Sequence, residues 1–311
     1  MKSGICLLLL ATNHDPLARA AIPTAAKAGY DYAEVSLARI YSLSDNQLSD
    51  YRSLFLQSGL PVEVFNNAVP KGLALAGPGA DPQALSRYID RALYLAGFMG
   101  VSMITMSGPN RLTVPSDQTW MDIFPSYIQF LKEYTDRAAE YGVSLVIEPI
   151  NEEEHSFIPT VSTAMDAVMA VNRPNLMTMI DSYHFTKQKD DPDTVIRNIS
   201  HIGHIHYAAQ ARRSYPLESD MDDCRQLLTP LFDAGYKGRI SIEAYADNPE
   251  QDLPQSARLL GEIPPPIRAV LTGSHSLHIQ SVRCLSPTKG RDIRGLNQCS
   301  DKGPHIKKIP R

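Results

Sequence analysis

The stretch YIQFLKEYTDRAAEYGVSLVIEPIN, Tyr127 to Asn151, places a helix and a strand either side of one glycine. Tyr127, Leu131, Tyr134 and Ala138 fall at i, i+4, i+7 and i+11, which makes one helical face apolar. Lys132, Glu133, Asp136 and Arg137 turn elsewhere. Gly142 stops the helix, and the apolar run Val143 to Ile147 follows at once. A short run that is apolar at all but Ser144 suits a strand covered on both faces, as in a parallel sheet.

The same unit recurs outward in both directions. Apolar runs lie at Ile5 to Leu10, Tyr32 to Leu37, Val62 to Phe65, Val101 to Met106, Val143 to Ile147, Met177 to Ile180, Ile202 to Tyr207 and Ile240 to Ile242. Helix-like sequence follows each run, and Ala28-Gly29-Tyr30 and Ala234-Gly235-Tyr236 repeat the glycine stop just before a strand. Eight βα units in about 260 residues predict an α/β fold, the (β/α)₈ TIM barrel. A doubly wound open sheet is the alternative, but no GxGxxG follows the first run. Pro230 interrupts the helix before the eighth run and is expected to kink or shorten it.

The pattern stops near Ile263, where Pro264-Pro265-Pro266 breaks the chain. Residues 1–262 are therefore read as the barrel domain and 263–311 as a basic tail of low order. A small appended element around Leu277 to Leu285 is the other reading of the tail. At the opposite end, Cys6-Leu7-Leu8-Leu9-Leu10-Ala11 resembles a short signal core but passes straight into Thr12-Asn13-His14-Asp15, so it is read as a buried first strand.

With 43% hydrophobic and 21% charged residues, the composition is that of a globular protein. A formal net charge of -4 argues against a nucleic-acid carrier, and no run is long and apolar enough to span a membrane. Cys6, Cys224, Cys284 and Cys299 form no CxxC pair, which points to neither a zinc ribbon nor a disulfide scaffold and is consistent with a reducing cytoplasm.

Chemistry in such a barrel is built at the C-terminal ends of the strands. The fifth run closes on Glu148-Pro149-Ile150-Asn151 and the sixth on Asp181-Ser182-Tyr183-His184. His204-Ile205-His206 occupies the seventh, and the eighth closes on Glu243. A single carboxylate there reads as a helix cap, and one histidine as a hydrogen-bonded core residue. Four successive strands ending in such groups read better as a cation site, because they are expensive to bury without a partner. Two Glu, one Asp and one His make an oxygen-rich set that suits Mn²⁺, Mg²⁺ or Co²⁺ better than structural zinc.

With these motifs the chain, over residues 1 to about 260, resembles the xylose-isomerase-like sugar (phosphate) isomerase/epimerase superfamily. Within it, the chain is most similar to the D-tagatose 3-epimerase and D-psicose (allulose) 3-epimerase group. The resemblance implies Glu148, Asp181, His206 and Glu243 as ligands of one divalent ion, Mn²⁺ first, with Co²⁺ or Mg²⁺ as alternatives. It implies Glu154, His184 and Arg212 as contacts to a small sugar, with Asn66 or Asn67 and Arg111 as weaker candidates. The implied activity is that of a ketose 3-epimerase, in which Glu148 and Glu243 work on opposite faces of a carbon next to a carbonyl through an enediolate. Homo-oligomers are common in the family. Hydroxypyruvate isomerase and inosose dehydratase share the expected fold and compete for the substrate. An endonuclease-IV-like phosphodiesterase, with three zinc ions, is a further alternative that calls for more strand-end histidines and a basic surface. The family pattern has no counterpart to the tail.

Because the apolar period ends near Leu260, a chain stopped shortly after Glu262 is expected to keep its fold and its cation binding. Circular dichroism and metal analysis of the truncated protein check this, and unfolding or metal loss would show that the tail packs on the barrel.

Overall fold

The structure, a computed structural model, describes residues 1–107, 119–154, 157–209 and 212–263. Eight parallel strands close into a barrel in sequence order: β1 Lys2–Cys6, β2 Tyr32–Ser36, β3 Val62–Asn66, β4 Met103–Met106, β5 Ser144–Ile147, β6 Leu176–Asp181, β7 Ile202–Tyr207 and β8 Arg239–Ile242. Each pairs with the next, and β8 returns to β1 through Ile242 opposite Ile5. The TIM barrel read from the sequence is the fold. Of the basic tail, residues 264–311 lie outside the described residues, as does Arg111.

Helices cover the outside between strands. Asp45–Ser58 begins with a capping box between Ser44 and Gln47, and Pro82–Met99 has Asp81 as its cap and proline in its first turn. Trp120–Glu140 buries Tyr127, Leu131, Tyr134 and Ala138, the face read from the sequence. Gly142, at φ 67°, makes the left-handed turn into β5, a conformation that side chains bearing a Cβ resist. Met221–Asp233 continues past Pro230, so that proline does not end the helix. Pro249–Gly261 packs beside Ala21–Ala28 and β1, and Ile263 is still buried.

The first run is displaced. β1 takes Lys2–Cys6, whereas Leu8 to Leu10 form a turn; the pairing of β1 ends at Cys6 on β2 and at Ile5 on β8. No helix among the described residues is long and apolar enough to cross a membrane.

The barrel interior is filled, not hollow. Tyr32, Val64, Met103, Val146 and Met179 pack on one another inside it as an apolar floor. Since alternate residues of a strand face the same way, the residues two positions onward also point inward: Glu34, Asn66, Thr105, Glu148 and Asp181. All five are buried. The floor thus fixes the height of a polar layer above it.

Gly4 on β1 leaves room for the floor. A Cβ there would collide with the Tyr32 ring and come within 2.6 Å of Ser241 Oγ. Gly4→Ala is expected to lower stability by about 1–3 kcal/mol through overpacking, measured by denaturant unfolding.

Candidate metal centre

The polar layer gathers at the C-terminal mouth of β5 to β8. One ligand atom from each of Glu148, Asp181, His206 and Glu243 lies within 4.8 Å of the other three. Each of the four residues is at least 95% buried, with Glu148 the most exposed at 5%. His206 Nδ1 stands 3.5 Å from Glu148, 3.7 Å from Glu243 and 3.8 Å from Asp181. That nitrogen has no hydrogen-bond partner among the described residues. A buried nitrogen without a partner, ringed by three carboxylates, fits a hard or borderline divalent cation. These four residues therefore form a candidate cation site.

Each of these side chains is held by its neighbours. Asp181 divides its carboxylate: Oδ1 accepts from the backbone N–H groups of Tyr183 (2.8 Å) and His184 (3.1 Å), while Oδ2 faces His206. The geometry shows the helix cap and leaves the second oxygen turned toward the candidate cation site. Glu243 Oε1 accepts from the Cys6 thiol at 3.4 Å, and Oε2 accepts from Arg213 Nη2 at 2.6 Å. From below, His206 Nε2 meets Glu34 Oε2 at 3.0 Å.

The charges are interdependent. Burial raises the Asp181 carboxyl above its usual range, opposed by His184 and Arg213. Burial alone would lower the His206 imidazole, but Glu34, Glu243 and Glu148 outweigh it and hold it well above the usual range. Burial would likewise raise Glu34, yet His206 and His204 keep it well below the carboxylate range. Burial depresses the Arg213 guanidinium less than Glu243 and Asp181 raise it, so it is a fixed cation.

Of the expected substrate contacts, Glu154 and His184 come together beside these four residues. Asn151 Nδ2 lies 2.6 Å from His184 Nδ1 and donates to Glu154 Oε1 at 3.3 Å. With Nδ1 facing an amide N–H, the imidazole proton belongs on Nε2. Arg212 is not brought in: it is exposed, whereas Arg213 enters the site. The reason lies in the backbone. Arg213 takes φ 48°, its carbonyl accepts from Tyr245 N–H, and its guanidinium stacks over Tyr183 at 4.6 Å. Asn66 is fully buried beneath the candidate cation site and donates to Glu34 and the Cys6 sulfur, so it is not at the mouth. Asn67 bonds Ser36 and Ser107 at the rim.

Sequence reasoning missed Glu34, which it counted inside the apolar run of β2. The alternation Tyr32, Glu34, Ser36 was the available signal, because it puts a carboxylate on the inner face.

A family model described as xylose isomerase-like TIM barrel matches residues 22–263. L-ribulose 3-epimerase of Methylomonas sp. (strain DH-1) is 23% identical over 234 residues, covering 74% of this chain and 79% of that one. Inosose isomerase of Bacillus licheniformis is 30% identical over 135 residues, or 40% of this chain and 48% of the other. Among solved structures, a D-allulose 3-epimerase from Methylomonas sp. superposes with a TM-score of 0.72 at 17% identity, covering 85% of this chain and 98% of that chain.

Because a proton and a cation compete for His206 Nδ1, divalent-cation affinity is expected to weaken as pH falls. While the imidazole remains protonated in the metal-free protein, the loss is up to about tenfold per pH unit for one displaced proton. Calorimetric Mn²⁺ titration across neutral pH measures it, and a flat profile would contradict this arrangement.

Proposed function

The chain belongs to the xylose isomerase-like TIM-barrel family, whose relatives matched above are epimerases and isomerases, and from that premise we propose that it is a metal-dependent ketose 3-epimerase. The observation that carries the reading is the meeting of Glu148, Asp181, His206 and Glu243 around the unpartnered His206 Nδ1.

Glu148, Asp181, His206 Nδ1 and Glu243 would hold one divalent ion, with Mn²⁺ favoured and Co²⁺ or Mg²⁺ as alternatives. When bound, the ion supplies Lewis-acid polarisation of the substrate carbonyl and its neighbouring hydroxyl. Glu148 on the β5 end and Glu243 on the β8 end then share the proton work. One carboxylate takes the proton from the carbon beside the carbonyl and the other returns one to the opposite face, so the configuration inverts. Positioned groups of this kind contribute roughly 10²–10⁴-fold.

His184 Nε2–H donates to a sugar oxygen, and Glu154 accepts from a hydroxyl. Arg213 takes the role that the resemblance gave to Arg212, binding a substrate oxygen from beside Glu243. Tyr183, under the Arg213 guanidinium, keeps that side chain over the site.

The inosose isomerase likeness favours a second reading, in which the same groups act on a cyclic polyol ketone. A panel of ketohexoses, ketopentoses, inososes and small keto acids separates the two. Three zinc ions per chain would favour a phosphodiesterase instead.

Chelation is expected to abolish activity, and added Mn²⁺ or Co²⁺ to restore it. Glu243→Gln keeps an oxygen donor but removes the base, so epimerisation should fall by at least about 10²-fold at equal metal content. Product formed in heavy water by the parent should carry deuterium at the inverted carbon. Near-normal turnover by metal-loaded Glu243→Gln would rule out the two-glutamate reading.

A further inference from the structure

The β2 carboxylate beneath the cation centre has no part in the chemistry described so far. Glu34 is fully buried, two residues beyond the Tyr32 floor, with the ligand His206 between it and the other carboxylates. Its two oxygens are met by four polar groups. Oε2 lies 3.0 Å from His206 Nε2 and 3.4 Å from the Asn66 amide nitrogen. Oε1 lies 2.6 Å from His204 Nε2 and accepts from the Ser241 hydroxyl, which also meets the Tyr32 hydroxyl at 2.7 Å.

We propose that Glu34 is the positioning residue of the cation centre, fixing the tautomer and tilt of His206 so that Nδ1 presents its lone pair to the ion. The proposal rests on the reading of that centre as a cation site. An ionised carboxylate can only accept, so the His206 nitrogen that faces it must carry a proton. With Nε2 protonated, the cation is left with Nδ1, and Nδ1 is the nitrogen that stands unpartnered among Glu148, Asp181 and Glu243. A carboxylate behind a ligating imidazole also makes the ring a stronger donor.

His204 belongs to the same device. Its ring packs edge-on against His206 at 5.0 Å and 85°, while its Nε2 shares the Glu34 carboxylate. The pair therefore constrains His206 in both direction and rotation. Glu34, His204 and His206 are close enough together to suggest a second cation site. Their hydrogen bonding argues for positioning instead: both Nε2 atoms point at carboxylate oxygens, and a cation among them would displace both N–H groups.

Glu34→Gln in the full chain separates the alternatives. A glutamine side chain has one accepting and one donating end, and it faces two imidazole N–H groups. It satisfies only one of them and carries no charge. Calorimetric Mn²⁺ affinity is expected to fall about 10–100-fold relative to the parent. Imidazole ¹⁵N spectra of the Zn²⁺-loaded parent should show one metal-bound ring with its proton on Nε2, and the variant should lose that uniform pattern. If Glu34 only supported the fold, the variant would melt earlier but bind Mn²⁺ within about threefold of the parent, with the tautomer unchanged; that result overturns the proposal. Should Glu34→Gln not fold, the parent spectrum still decides, because a ring bound through Nε2 with its proton on Nδ1 contradicts it. If the parent binds no divalent cation, the metal reading itself fails and takes this inference with it. Equal binding by parent and variant removes the inference alone.

Discussion

Four carboxylates buried in the mouth of one barrel must be neutralised, and the rest of the site follows from how that is done. Glu34, Glu148, Asp181 and Glu243 are each almost without exposure to water. Left alone, they would repel one another in a medium that screens poorly. His206 lies between Glu34 and the other three, and Arg213 adds a fixed positive charge over Glu243 and Asp181. A divalent ion held by Glu148, Asp181, His206 and Glu243, as proposed above, would complete this balance. Charge balance is thus the electrostatic condition under which such a polar layer can be assembled.

The layer is held in place by an apolar device. Tyr32, Val64, Met103, Val146 and Met179 plug the barrel, and the strand period then sets the next inward residues at one level above them. The Tyr32 hydroxyl binds Ser241, and Ser241 binds Glu34, so the floor is hydrogen-bonded to the layer it supports. Packing density below and ligand geometry above are consequently parts of one structure.

Much of this was legible in the sequence, and the reasons are specific. The barrel could be read because eight apolar runs and their glycine stops are local signals. Glu148, Asp181, His206 and Glu243 could be singled out because each ends or nearly ends a run, where a polar residue stands out. Glu34 was hidden because it lies inside its run, and only its alternation with Tyr32 and Ser36 marks it. Arg213 was hidden for a different reason. Adjacent arginines have the same chemistry, and which one enters the site depends on a left-handed backbone at Arg213 that no composition reports. The Leu7 to Leu10 segment misled because apolarity does not tell where pairing partners end.

Asp181 shows how such a site restrains its own evolution. One of its oxygens starts the Ser182–Gln188 turn of helix that carries His184, and the other faces the cation position. Drift at this position is judged twice over, once by backbone N–H groups that need an acceptor and once by the charge that the proposed ion would need. Asparagine passes the first judgement and fails the second; glutamate, longer by one methylene, keeps the charge but shifts the acceptor away from Tyr183 and His184. Descendants with new substrate preferences are therefore expected to diverge at the rim while this residue stays as it is.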